Sequence, residues 1–471
     1  MKVTLIAHAN LLFQSRETTL ITDPVLFGYL WEEINVHCPS LELNLDAIPK
    51  VDVLNISHRH QDHFDIRSLA YLATFKGFVT PDTLTLAPQD EILLEMLREL
   101  GLPNITPVTD FEPIRVKDLT LTPTPSLNDQ DYFPEHGLLV HDGEVTVWNQ
   151  VDTIVSPDIV NYIKQLYPTI HLAHHRFLPL LEGNFSFHQP LNLPFEEYSS
   201  FLRVVKAVQP RFCVPGSAGF RYRDEFDFLN HYSFPTTQEQ FLRDLKAFAP
   251  EVPSSTFFPG DTAEVTPQGV TIHRQNAGFV KMKENDEYRV EFKPVSEVPP
   301  IRTLTREEGD RAREREAVTE FLRNEFLPAL SECDLLRVWR EWQICYQLEV
   351  FEDGNSFIWS LDFEQEPLEW VEGRIPKMNL YEGIACSELF RLIEGSTNWD
   401  FVGISAQYRY FHNIYRLGDG RFECFPQDKK FPAPLMQVFP AGVDMDRAKF
   451  MQDVQRWKTY YQKTPSPSNP V

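Results

Sequence analysis

Behind the apolar run Val51-Asp52-Val53-Leu54-Asn55-Ile56 stands Ser57-His58-Arg59-His60-Gln61-Asp62-His63-Phe64-Asp65, which places three imidazoles and a carboxylate within six residues. Side chains two apart on an extended strand end point the same way, so His58 and His60 are expected to face one cation. Asp62 and His63, on the turn that follows, are expected to face a second. Chance clustering of this kind behind a buried strand is rare. A pair of cations also constrains the fold. Each ion takes four to six donors at about 2.0–2.3 Å, so several loops must converge on one strand end.

The chain has 471 residues, enough for two or three domains. Its 44 Lys and Arg face 68 Asp and Glu, for a formal charge of -24, and such a surface repels polyanions. Nucleic acid is therefore not an expected partner. The six cysteines are scattered and form neither a C-x-x-C nor a C-x-H pair, which reads as reduced intracellular thiols. No apolar run has the length of a membrane span, and the N-terminus reads as a first strand, so no membrane association is expected and the cytoplasm is the expected compartment.

From residue 2 to about 274, short β-branched runs alternate with amphipathic ones. Strands are expected near 2–7, 18–22, 51–56, 137–141, 144–149, 210–214 and 269–273, and helices near 66–75, 89–100, 156–166, 195–208 and 236–247. Strands that pair before helices intervene predict two sheets covered by helices on their outer faces, an α/β sandwich of αββα type over residues 1–292. Proline thickens in a linker at 293–305, and the dense alternating charge of 306–323 predicts a helix with a solvated face. An additional C-terminal α+β domain is expected over 306–463, with strands at 343–351 and 356–363 and helices at 382–394 and 398–416. On that reading the aromatic series Trp399, Phe401, Tyr408, Tyr410, Phe411 and Tyr415 is helix core. The tail 464–471 is expected to be disordered.

A second metal-ligand candidate follows the strand at 144–149. Asp152 in Trp148-Asn149-Gln150-Val151-Asp152-Thr153 is placed to bridge two ions, although an Asp shortly before a helix also serves as a cap. These features, with Asp23-Pro24-Val25-Leu26-Phe27-Gly28, resemble the metallo-β-lactamase fold. Within that superfamily the chain most resembles CMP-N-acetylneuraminate hydroxylase, through the same motifs and Gln209-Pro210-Arg211-Phe212-Cys213-Val214-Pro215, and through Asn398-Trp399-Asp400 and Tyr408-Arg409-Tyr410-Phe411-His412 further on.

The resemblance implies a dinuclear centre, and this sequence departs from it in three ways. It holds no C-x-H pair for a Rieske cluster, so electrons would come from a separate donor such as ferredoxin. An acidic donor would need a local basic patch, for which Arg203, Lys206, Arg211, Arg221 and Arg223 are candidates. No third histidine precedes the hairpin strand, where Glu135 or Asp131 stands instead. The terminal histidine is replaced by Gly216-Ser217-Ala218, which leaves His174, His175 or His231 as candidates for the second ion.

The expected roles are His58, His60 and Glu135 at the first ion, Asp62, His63 and His174 or His175 at the second, and Asp152 between them. Asp23 is either a brace for a metal-bound histidine or a turn residue before Pro24. His188 is either a substrate contact or an ordinary loop residue. Carboxylate in place of imidazole hardens the ligand set and favours iron over zinc, with manganese also suited. The expected activity is hydroxylation of a small molecule with dioxygen and external electrons. A zinc-dependent hydrolase of an ester, amide or phosphodiester, and a binding protein with a degenerate site, are the alternatives.

Overall fold

Alternation with a period of two organises the N-terminal strands, and it sorts their side chains between two different cores. Leu5, Leu20, Val53, Leu138, Val147 and Leu172 join one buried cluster, while their chain neighbours Ile6, Ile21, Leu54, Leu139, Trp148 and Ala173 join others. Such a pattern belongs to strands covered on both faces. A computed structural model describes residues 1–75, 78–128, 133–293, 296–305, 307–425 and 433–463. Asp131, part of the expected linker and the tail 464–471 lie outside these residues.

The contacts divide the chain into two units. The first comprises Met1–Leu180, Asn192–Val295 and Phe450–Val471; the second comprises Leu181–Leu191 and Ser296–Lys449. In the first unit an eight-stranded sheet runs Gly269–His273, Thr262–Thr266, Lys2–Ala7, Asn10–Gln14, Thr19–Thr22, Val53–Asn55, Leu84–Ala87, Ile105–Pro107. Thr19–Thr22, Val53–Asn55 and Leu84–Ala87 are parallel, so their C-terminal ends emerge together. A six-stranded sheet runs Ile114–Val116, Leu119–Pro125, His136–His141, Thr146–Asn149, Leu172–Arg176, Cys213–Gly216, and its last three strands are likewise parallel.

The apolar faces of the two sheets meet in a shared core. Outside the first sheet lie the helices Ile66–Thr74 and Glu91–Leu100, capped by Asp65 and Asp90; outside the second lie Pro157–Leu166 and Phe195–Val208. The αββα sandwich is thus complete. The helix of the chain's last described residues also serves this unit. From Phe450 onward it contributes Phe450, Val454 and Tyr461 to the core beneath the helix Ile66–Thr74.

The second unit is α+β. Its five-stranded sheet runs Val371–Glu372, Asn355–Asp362, Cys345–Glu352, Leu380–Ala385, Tyr408–His412, with Cys345–Glu352 and Leu380–Ala385 parallel at the centre. The charged stretch forms the helix Glu308–Phe321. Two expectations are corrected here. The helix expected from 382 begins at Cys386, because Leu380–Ala385 is a central strand, and the helix expected over 398–416 stops at Ile404. Tyr408 and Tyr410 are buried with Arg409 between them partly exposed, a period of two, so Tyr408, Tyr410 and Phe411 lie on a strand and Tyr415 begins another, while Trp399 and Phe401 are buried in the helix as expected. Among the described residues no helix is long and apolar enough to cross a membrane.

Candidate metal centre

The strand Val53–Asn55 is flanked by parallel neighbours, and its exit carries the histidine run to the edge of the inter-sheet core. The adjacent strand Thr19–Thr22 delivers Asp23 to the same edge. Asp23 Oδ1 accepts from the Ser57 backbone N–H at 2.7 Å, and Oδ2 accepts from Ser57 Oγ at 2.7 Å and lies 3.0 Å from His63 Nδ1. A carboxylate on Nδ1 places the ring proton there, so the His63 Nε2 lone pair faces outward. Ser57 Oγ also stands 2.9 Å from His58 Nδ1 and orients that ring in the same sense.

Around these rings the donor atoms converge. His58 Nε2 and His60 Nδ1 are 2.9 Å apart. His63 Nε2 lies 3.1 Å from Asp152 Oδ2, which is supplied by the second sheet at the exit of Thr146–Asn149. His8, from the turn between the first two strands, brings its Nε2 to 2.9 Å from His63 Nε2 and 3.3 Å from Asp62 Oδ2. Two donors held at about 2.1 Å from one ion, at angles of 90–110°, are themselves about 3.0–3.4 Å apart. The observed separations of 2.9–3.3 Å lie in or just below that range, and Asp62 Oδ2 stands 3.8 Å from His63 Nε2. Two groups of ligand atoms, His8, Asp62, His63 and His58, His63, Asp152, each lie within 4.8 Å of one another and share His63.

The buried polar atoms also suit a cation. Asp62 Oδ1 is buried with no hydrogen-bond partner, and a cation would satisfy it. Burial pulls the His63 imidazole pKa down, but the facing Asp62 and Asp152 carboxylates push it up more, well above the ordinary range. Asp152 shows the reverse balance: burial raises its carboxyl, and His63 then lowers it well below the usual value. Burial, with His63 and His60 nearby, holds His58 neutral, the form that binds a metal. Arg176 anchors the Asp152 loop, donating to the Asp152 carbonyl at 2.9 Å while pairing with Glu197 at 2.9 Å.

Of the residues singled out in the sequence, the structure brings His58, His60, Asp62, His63 and Asp152 together, with Asp23 on His63. Glu135 is buried and accepts from Ser126 Oγ, and it belongs to neither ligand group. His174 and His175 part company by strand parity. His174 shares the inner face of Leu172, its Nδ1 2.9 Å from Asn149 Oδ1. His175 shares the outer face of Ala173 and packs against Trp148 and Phe241, so it is turned away from the cluster. His231 Nδ1 meets the Glu291 carbonyl at 2.9 Å, and His188 sits in the second unit with its ring against Phe411. The basic side chains considered for an electron donor are already engaged: Arg221 with Asp286, Arg223 with Asp224, Arg203 with Glu196, Lys206 with the Phe248 carbonyl and Arg211 with the Pro267 carbonyl.

His8 was not assigned from the sequence. The available signal was an imidazole in Ile6-Ala7-His8-Ala9-Asn10, between two strands apolar enough to be wholly buried.

Residues 18–154 match the family model described as the beta-lactamase superfamily domain, and the first unit has a metallo-β-lactamase-like fold. A protein of Mycolicibacterium smegmatis named as a Rieske 2Fe-2S iron-sulfur protein is 29% identical over 163 residues, covering 32% of this chain and 30% of that protein. One from Mycobacterium tuberculosis with the same name is 26% identical over 160 residues, with the same shares. The chain thus spans under a third of the length of these relatives. Among solved structures, CmlA, a diiron beta-hydroxylase from Streptomyces venezuelae, is 19% identical, covering 46% of this chain and 44% of that one, with a TM-score of 0.35. An isothiocyanate hydrolase from Delia radicum gut bacteria is 18% identical, covering 56% of this chain and all of that one, with a TM-score of 0.40.

Proposed function

We propose that the first unit holds two metal ions, iron in preference to zinc or manganese, and that the protein hydroxylates a small molecule using dioxygen and electrons from a separate donor. The observation that carries this reading is the convergence of His58, His60, Asp62, His63 and Asp152 donor atoms at spacings that suit shared cations. The Rieske name of the mycobacterial relatives supports an electron-transfer setting.

His58 and His60 would hold one ion, Asp62 and His63 the other, and Asp152 would be the carboxylate they share. When bound, the iron pair supplies oxidising power that no side chain has. The protein's own groups orient and shield. Asp23 and Ser57 fix the imidazole tautomers, and Arg176 with Glu197 holds the Asp152 loop in place. Trp31 and Phe133 wall the His60 ring at centroid distances of 5.9 and 4.9 Å, which keeps water from that side. A cavity of about 300 Å³ lined by Gln150, Thr153, Arg176, Glu197 and Phe201, which flank the Asp152 loop without including a candidate metal ligand, has the size and polar lining for a small substrate.

A zinc-dependent hydrolase is the second reading, favoured by the additional imidazole of His8, which softens the donor set. Elemental analysis of protein purified without added metal, with oxygen uptake after anaerobic reduction, separates the two. Two equivalents of iron and oxygen consumption that requires reductant are expected. A zinc-loaded, colourless protein indifferent to reductant would exclude the oxygenase.

A further inference from the structure

The stretch Gly216–Gly219 leaves the strand Cys213–Gly216 at the edge of the sandwich where a terminal ligand was expected, yet it carries neither imidazole nor carboxylate. Glycine at its two ends has a steric cause. A Cβ on Gly216 would lie 2.4–2.5 Å from three atoms of the His174 ring, and one on Gly219 would lie 3.0 Å from the His8 backbone nitrogen and 3.1 Å from its Cα. Gly219 also accepts the Cys38 backbone N–H at 2.8 Å, which keeps this close packing in register.

We infer that His8 is the terminal ligand of the second cation, supplied from the turn between the first two strands in place of the donor that Gly216–Gly219 lacks. This rests on the two-ion reading above. His8 Nε2 is 2.9 Å from His63 Nε2 and 3.3 Å from Asp62 Oδ2, so its donor atom groups with those of Asp62 and His63 within 4.8 Å. Its ring packs edge-on against Phe220, and its Nδ1 makes no hydrogen bond, so the cluster is the polar feature the imidazole addresses. Its backbone adopts φ 50°, a left-handed conformation that few side chains take without cost. That strain is retained at a position from which the imidazole reaches His63 and Asp62.

The positive φ supplies a clean test, because glycine adopts it freely and His8→Gly removes the imidazole without disturbing the turn. Metal-stripped full-length protein is titrated with cobalt(II) alone, reading bound equivalents by elemental analysis and ligand-field absorption. Wild type and His174→Ala are expected to bind two equivalents and His8→Gly one, with added imidazole restoring the second. The weakening should exceed the roughly 10–100-fold that follows loss of an outer hydrogen-bond partner. If His8→Gly binds two equivalents as tightly as wild type, or if His174→Ala is the variant that loses an ion, His8 is not the ligand although the two-ion centre stands. If wild type itself takes up fewer than two, the two-ion reading falls and this inference with it. Should His8→Gly not fold, His8→Gln is subject to the same criteria.

Discussion

Replacing Asp23 by Asn tests the bracing of the metal centre without moving its backbone. Asp23 sits at φ 40°, a conformation Asn tolerates well, so the turn survives. The carboxylate accepts three hydrogen bonds, from the Ser57 backbone N–H, Ser57 Oγ and His63 Nδ1. Asn can keep the first with its remaining oxygen and can donate to Ser57 Oγ. Its amide cannot accept from His63 Nδ1–H, so the proton shifts to Nε2. That proton then points at His8 Nε2 and Asp152 Oδ2, 2.9 and 3.1 Å away, and removes the lone pair that binds the ion. Loss of one charge-assisted hydrogen bond is worth about 1.5–3 kcal/mol, and loss of an outer partner of a metal-bound histidine lowers affinity about 10–100-fold, or roughly 1.4–2.7 kcal/mol. The two routes agree. Competition against a chelator should show one of two cobalt(II) equivalents weakened by that factor and the other little changed. Undiminished affinity at both positions would refute the reasoning, because Asp23 would then have no hold on the tautomer.

Burial of Glu382 in the second unit raises its carboxyl to about 7 despite hydrogen bonds from Tyr408 and the Leu435 backbone. Since the folded value is the higher, stability should fall as pH rises from about 4.5 to about 7, by on the order of 3 kcal/mol in total; urea unfolding of wild type against Glu382→Gln should show that slope flattened in the variant. Tyr461→Ala removes a buried ring that packs on Phe27, Tyr71, Phe75 and Trp457 and should cost about 3–5 kcal/mol, read as a lowered unfolding midpoint. His175→Leu, on the outer face of its sheet, should leave both metal equivalents in place, and loss of either on elemental analysis would contradict the strand parity argued above.

Much of the sandwich was legible because its strands are short, β-branched and bounded by turns: Lys2–Ala7, Thr19–Thr22 and Gly269–His273 fall where the pattern put them, as do the helices Ile66–Thr74 and Phe195–Val208. The helices expected at 382–394 and 398–416 went astray for a common reason. Leu380–Ala385 and Tyr408–His412 are buried on a central sheet, and dense apolar and aromatic residues there fit a helical period as readily as an alternating one. At the candidate metal centre the local run and the strand-end residues Asp23 and Asp152 were singled out from the sequence, and His8 was not. His58, His60, Asp62 and His63 declare themselves by spacing, whereas His8 stands fifty residues upstream and joins them only through sheet pairing. The pair His174 and His175 needed the register of Leu172–Arg176 before one could be set inside and the other outside.

The core under the metal loop is closed by residues from the far end of the chain. Phe450 packs on Phe64, next to His63, and Arg67 lies between the Phe27 and Trp457 rings at 4.3 and 4.9 Å. During synthesis at roughly 5–20 residues per second, the helix Ile66–Thr74 would wait on the order of tens of seconds for that cover. Throughout that interval Phe27, Phe64 and Tyr71 present greasy surface to chaperones, and the loop above them lacks its floor. A metal centre above that floor would therefore be completed only once the helix Val443–Lys463 has been made, long after its ligands emerge.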